Sequence, residues 1–333
     1  MISFATKICE LGKLKKIKQW IISDAMNGLL LWAPKKINER DSTFLAMLAL
    51  AAVSLVWGTT WVVSRQGVLH MPALQLAGIR QLIGGSIYLG YFVLKKYPLP
   101  EKKDLMPLVL LSFLNFVLSN GLSTWGVKYI SSGLAAIIGA IFPLWLVIIG
   151  LVAYKQKPAK KAIIGMLIGF SGICIIFYRY LPDFVNPNFR FGIALSFIAT
   201  ISWAFGTLYT KKHAKVFNPY FGLGFQMFLA GAILSMVSWF DPNHLPVSEI
   251  PFISWFAISY LVIVGSLIGF ICYLYALQNL SAEQTSIYAY INPIVAIIAG
   301  WLILDEMLGF NILIGCLVTL FGIYLVNRSF AGK

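Results

Sequence analysis

From residue 44 to residue 326 the chain is written as long apolar runs separated by short polar breaks. The runs lie near 44–64, 74–94, 105–125, 132–154, 161–178, 191–210, 220–240, 251–276, 283–304 and 310–326. Each is roughly 17–26 residues, the length that carries a helix across a hydrocarbon core of roughly 30 Å. Only helices and closed barrels satisfy their backbone polar groups in lipid, and these runs are too long and unbroken for barrel strands. The pattern predicts an all-α integral membrane protein with ten transmembrane helices.

Two runs carry a polar, aromatic phrase that contact with lipid does not call for: SLVWGTTWVVSR at 54–65 and SWAFGTLYTKK at 202–212. Residues 54–86 set against 200–232 without a gap superpose Trp57 on Trp203, Arg65 on Lys211, Gly78 on Gly224 and Gly85 on Gly231. A second ungapped alignment, 121–175 against 271–325, superposes Ser131 on Ser281, Pro143 on Pro293, Gly165 on Gly315 and Gly172 on Gly322. Matches at so many special residues, with one small shift of register, indicate an internal duplication of five helices each. Five is odd, so the first helix of the second half crosses in the opposite sense to the first helix of the chain. The expected architecture is two inverted-topology five-helix repeats, with a substrate site near the midplane between them. The predicted divisions are a tail at 1–43, a first repeat at 44–178, a linker at 179–190, a second repeat at 191–328 and a tail at 329–333.

Composition agrees: 59% of residues are hydrophobic and 11% charged, against about a quarter charged in soluble domains. The net charge of +14 is a matter of topology rather than of nucleic-acid binding. With a cytoplasmic N-terminus, 21 Lys/Arg fall on the cytoplasmic side and four outside, namely Arg65, Lys128, Arg179 and Arg190. That asymmetry places both termini in the cytoplasm and makes the 179–190 linker external. In the N-terminal tail, Phe4, Ile8, Leu11, Leu14, Ile17 and Ile21 recur at helical spacing among lysines. Two readings remain open for it, a basic helix on the anionic inner leaflet and a poorly ordered tail. Cys9, Cys174, Cys272 and Cys316 show no zinc or disulfide spacing, and no metal or cofactor is expected.

WGTTW at 57–61, AGIRQL at 77–82 and LDE at 304–306 resemble the EamA branch of the drug/metabolite transporter superfamily. The likeness extends over roughly residues 44–328. It implies a ten-helix carrier of the bacterial inner membrane, exporting amino acids or related metabolites, and does not name the solute. The partners expected are then a small-molecule solute and membrane lipid.

Arg80 is the only basic residue well inside a run. A charge there costs at least about 2.5–3.5 kcal/mol on insertion scales, so it faces a cavity or a partner. One reading makes it the anchor of a carboxylate; the other lets it snorkel or tie helix ends through backbone carbonyls, which fits its frequency in the resembled family across varied substrates. Pro143 and Pro293, matched in the repeat, are expected to bend their helices as hinges or as static kinks, freeing the carbonyls of Gly139 and Ala289. Trp57, Thr60, Asn115, Asn120, Trp203, Gln226, Tyr273, Tyr288 and Asn292 complete the candidate cavity. Asn292 departs from the resembled family, which often has Glu before this proline. Each polar member is also a candidate for interhelical glue. Gly165 and Gly169 form a GxxxG that suits packing within one chain or a homodimer seam.

No carboxylate lies deep in a run: Glu283, Asp305 and Glu306 sit near run ends. This weakens a proton relay through a buried acid and excludes a mechanism built on a mid-helix Glu in the first run. HExxH, GxSxG and paired carboxylates are absent from the runs, so an intramembrane enzyme is disfavoured. A carrier of lipid-linked sugars or phosphate esters is the main alternative, though it would want more cavity cations than Arg80. A non-transporting sensor or scaffold has only the tail in its support.

Overall fold

A computed structural model describes residues 39–97, 102–154, 160–213, 218–280, 285, 288–307 and 309–330. The postulated surface helix of the N-terminal tail lies outside these residues. The elements are α1 (Glu39–Val68), α2 (Ala73–Leu94), α3 (Lys102–Leu111), a π-helical segment (Ser112–Gly121) and α4 (Leu122–Gly126). Then come α5 (Ser132–Ala140), α6 (Phe142–Tyr154) and α7 (Lys160–Arg179), followed by α8 (Pro187–His213) and α9 (Pro219–Trp239). The chain continues through α10 (Phe252–Tyr260), a second π-helical segment (Leu261–Ile268), α11 (Gly269–Asn279), α12 (Tyr288–Leu304) and α13 (Phe310–Phe330). No strand occurs among the described residues.

Among the described residues, five helices are long and apolar enough to cross a membrane: Thr43–Val68, Leu105–Gly126, Pro187–Thr210, Pro219–Trp239 and Phe252–Asn279. Shorter apolar helices cover Ser132–Leu146, Ile163–Tyr178, Ile291–Leu304 and Phe310–Val326. Large apolar side chains such as Leu55, Leu167, Phe170 and Phe321 are exposed on the outer faces, as lipid contact requires and water would penalise. Local chemistry sets several helix ends. Asn218 Oδ1 accepts from the N–H groups of Tyr220 and Phe221, with Pro219 at the first helical position of α9. Asp305, at φ 52°, ends α12 in the left-handed conformation, and the turn returns Glu306 N–H to Gly300 O at 3.2 Å.

The principal helix pairings are preserved when the two halves are exchanged. α1 packs on α12 and on the α10–α11 rod, while α8 packs on α5–α6 and on the rod ending in α4. α2 crosses α9, and α7 crosses α13, each helix meeting its own repeat equivalent. At both crossings the repeat-matched glycines face the backbone of the partner helix. A Cβ on Gly85 would lie 2.3 Å from Phe228 N, and one on Gly231 would lie 2.4 Å from Leu82 N. In the other crossing a Cβ on Gly172 would lie 2.5 Å from Thr319 N, and one on Gly322 would lie 2.2 Å from Gly169 N. Gly165 faces Gly322 O and Val326 N of the same chain. Of the two readings of the GxxxG, packing within one chain is therefore the one observed. The helix holding Pro143 is interrupted at Ile141, between α5 and α6, whereas Pro293 lies inside the unbroken α12.

Candidate functional site

Between the halves lies a cavity of about 150 Å³, lined from α1, α2, the first π-helical segment, α4, α5, α6, α8, α11 and α12. Eight of the ten candidate residues read from the sequence line it: Trp57, Thr60, Arg80, Asn115, Asn120, Trp203, Tyr288 and Asn292. Gln226 and Tyr273 stand one layer back. Gln226 Oε1 accepts from Asn115 Nδ2 at 3.3 Å, and Tyr273 packs on Trp57 with ring centroids 5.0 Å apart. Both proline-freed carbonyls predicted from the sequence belong to lining residues, Gly139 and Ala289.

One wall is aromatic. The repeat-equivalent Trp57 and Trp203 meet edge to face, centroids 6.5 Å apart at 83°. Trp57 also meets Phe270 at 5.1 Å and Tyr288 at 5.2 Å, while Tyr288 stacks on Phe142 at 6.3 Å. Edge-to-face geometry places the positive ring edge against a negative face, and two hydrogen bonds lock it. Trp57 Nε1 donates to Gly265 O at 3.1 Å, and Trp203 Nε1 to Tyr288 Oη at 3.3 Å.

The polar side is built around Arg80, which is 4% exposed. Its Nε donates to Ser266 Oγ at 3.1 Å. Gly265 makes room for it, since a Cβ there would lie 3.3 Å from Arg80 Nη2 and 2.9 Å from Thr60 Cγ2. One turn on, a Cβ on Gly269 would lie 2.5 Å from Trp57 Nε1. The repeat inverts this exchange of sizes. Thr60 leans on Gly265, whereas its equivalent Gly206 receives Asn115, the equivalent of Gly265, whose Oδ1 would sit 1.8 Å from a Cβ there. The π-helical segments occupy matching repeat positions, and such bulges, which open the i→i−4 ladder, are common at functional sites. Asn120 Oδ1 accepts from Gln81 Nε2 at 2.7 Å. With its amide nitrogen turned to the carbonyls, Asn292 donates to Ser54 O at 2.7 Å and Tyr288 O at 3.2 Å, tying α12 to α1.

The sequence model of the EamA-like transporter family matches residues 44–178 and again 190–328. The chain belongs to this family. Among curated relatives, it is 32% identical to the Uncharacterized inner membrane transporter YedA of Escherichia coli K12 over 254 residues, 76% of this chain and 80% of that one. It is 24% identical to the Uncharacterized transporter YoaV of Bacillus subtilis, covering 86% of this chain and 98% of that one. A WAT1-related chloroplastic protein of Arabidopsis thaliana is 25% identical, covering 87% and 71%. One solved protein structure superposes with a TM-score of 0.61 at 16% identity, over 84% of this chain and 95% of its own, which speaks for the fold alone. The EamA-like family, YedA and YoaV are transporters, not enzymes.

Two further features of this EamA-like chain escape the sequence reading. Ser64, Ser119, Ser123, Thr124 and Thr200 line the cavity; Ser and Thr are common enough in membrane helices that only their shared cavity marks them. The second feature is an ion pair between repeats. Arg65 Nε meets Glu306 Oε1 at 3.1 Å, and Arg65 Nη1 donates to the carbonyls of Val127, at 2.7 Å, and Ile130. The same carboxylate accepts from Ser132 N at 2.7 Å, Ser132 Oγ at 2.8 Å and Gly133 N at 3.3 Å. It thereby caps the positive end of α5. Gly300 leaves the space, since a Cβ there would lie 2.6 Å from Glu306 Oε2. Ser64 and Ala136 line the cavity, so the pair stands at one end of it. LDE at 304–306 and SR at 64–65 were both legible as motifs, but nothing in either names the other.

Proposed function

We propose that this protein is a secondary transporter of the cytoplasmic (inner) membrane that exports amino acids or related small metabolites by alternating access. In this reading ten helices cross the membrane as two five-helix halves of opposite orientation, with both termini cytoplasmic. The observation that carries it is the cavity at the meeting of the halves, where the repeat-equivalent Trp57 and Trp203 face each other. A site shared by two equivalent halves opens to either side when they exchange conformations. The exchange of neighbours described above supports the same scheme, because each pairing has a counterpart ready to take its geometry. YedA's description as an inner membrane transporter supports the location, and the lysine bias supports the orientation.

Two experiments test this reading. Purified protein in proteoliposomes should exchange labelled amino acids or related metabolites across the bilayer; a membrane that stays tight to the whole panel would remove the transport reading. In intact cells, single cysteines at Asn188 and Asn243 in a background lacking Cys9, Cys174, Cys272 and Cys316 should label from outside, while one at Lys102 should not. Labelling at Lys102 with both asparagine positions protected would turn the orientation over.

The prolines are assigned a gating role in the same scheme. Pro143→Ala and Pro293→Ala should slow transport several-fold while leaving protein yield and solute binding near the parent level. Each substitution restores an i→i−4 hydrogen bond and stiffens a helix that lines the cavity. Parent transport rates in both variants would leave the prolines as static features.

A further inference from the structure

We propose that the cavity takes a small organic monoanion, a carboxylate held by Arg80 with an aromatic or compact apolar body lying against the Trp57 wall. This assignment rests on the cavity being the substrate site of the transport reading, and it names the chemistry that site recognises.

Charge comes first. Arg80 is 4% exposed and lines the cavity. Of its five N–H donors, Nε is the one with a hydrogen-bond partner among the described residues, Ser266 Oγ. Among the described residues no carboxylate pairs with it. The twelve Asp and Glu of the chain are Glu10, Asp24, Glu39, Asp41, Glu101, Asp104, Asp183, Asp241, Glu249, Glu283, Asp305 and Glu306, all in tails, loops or run ends. Glu306 is already committed to Arg65 and Ser132. The repeat equivalent of Arg80 is the neutral Gln226, which is occupied by Asn115. The cavity therefore holds one positive charge, placed to one side of an otherwise paired architecture. A buried charge without a counter-ion is costly, and a monoanion cancels it. A dianionic phosphate would leave a net negative charge in the same site. The guanidinium fork fits the two oxygens of a carboxylate.

Size and shape come next. A cavity of about 150 Å³ is of the size that admits a benzene ring, which suits a ring or compact apolar group better than a lipid-linked sugar. Arg80 Nη2 abuts Gly265, while Trp57 Nε1 donates to Gly265 O and abuts Gly269, so the charged and aromatic recognition points lie within roughly one helical turn, about 5–6 Å, of each other. A carboxylate joined to a ring through one or two carbons spans that distance.

The test uses the full-length protein in nanodiscs with benzoate, phenylacetate and 3-phenylpropionate as probes, each beside its amide, followed by calorimetry and by quenching of tryptophan fluorescence. At least one acid should bind tenfold or more tightly than its amide. Arg80→Lys should weaken that acid at least fivefold and leave the amide unchanged, because lysine keeps the charge without the fork. Arg80→Gln should erase the preference. Parent protein that binds none of the acids, or binds acid and amide alike, overturns the assignment without any variant having to fold. A well-folded Arg80→Gln protein that keeps the preference overturns it too. The transport reading fails separately: acid-selective binding with no flux in proteoliposomes removes transport and keeps the anion site, while flux of neutral aromatic solutes with no acid preference does the reverse.

Discussion

Gly85→Val and Gly322→Val should each abolish recovery of monodisperse protein, whereas Gly90→Val should be extracted at the parent level. The three positions differ in what a side chain meets. A Cβ on Gly85 would stand 2.3 Å from Phe228 N, and one on Gly322 would stand 2.2 Å from Gly169 N, whereas nothing lies within 4 Å of one on Gly90. Non-bonded carbons settle at roughly 3.5–4.0 Å, and the obstacle at the two crossings is backbone, which cannot rotate away. Valine would therefore force α2 off α9 or α7 off α13. Overpacking of a core side chain costs about 1–3 kcal/mol, and separating a whole crossing forfeits every contact along it. Size-exclusion profiles after detergent extraction read the result. Normal profiles for both crossing variants would mean that the helices do not pack glycine to glycine.

These glycines also show what the sequence could and could not carry. The match of Gly78 with Gly224, Gly85 with Gly231, Gly165 with Gly315 and Gly172 with Gly322 was visible as a repeat. That these glycines face the partner helix's backbone across the two crossings, Gly85 against Phe228 and Gly165 against Gly322, was not, because an alignment of two segments says nothing about their distance. The same holds for Trp57 and Trp203. Their equivalence is written in the chain, and the 6.5 Å between their rings depends on how four helices meet. Apolar run length carried the helical class well, since the lipid requirement leaves few alternatives. The run at 132–154 was read as one helix, and the backbone breaks at Ile141, where the proline two residues later removes an N–H from the ladder.

Polar residues were legible in proportion to their rarity. Arg80 stood out because a cation inside an apolar run is expensive, and it lines the cavity. Gln226 shared its repeat position but is one layer removed, its carbonyl oxygen spent on Asn115. An amide has two ends to satisfy, and the sequence does not say whether a neighbour or a solute satisfies them. The serines and threonines of the cavity were missed for the opposite reason. They bond readily to their own helix, as Thr60 does to Trp57 O at 2.7 Å, so their presence in a run is uninformative.

Glu306→Gln should loosen one end of the cavity, raising the labelling rate of a cysteine at Thr124 about tenfold while leaving the fold intact. The carboxylate joins elements from both halves: it pairs with Arg65 of α1 and caps α5 through Ser132 and Gly133. Arg65 adds the carbonyls of Val127 and Ile130. The side chains of Arg65 and Glu306 are 23% and 12% exposed, so solvent screens the pair only in part. A hydrogen bond to a charged group is worth about 1.5–3 kcal/mol, and a loss of about 1.4 kcal/mol already shifts a two-state balance tenfold. The other half does not repeat the lock. In the repeat register Glu306 falls on Gln156 and Arg65 on Lys211, so the equivalent position carries no carboxylate. In the alternating-access scheme proposed above, such an asymmetry biases the resting protein towards closure at the Glu306 end. Glutamine keeps the length and one acceptor oxygen but removes the charge, so Glu306→Gln and Arg65→Gln should shift labelling in the same direction. Combined, they should add little beyond either alone, because both remove one interaction. Fully additive effects, or unchanged labelling in both single variants, would make the pair a static brace and leave the bias to other contacts.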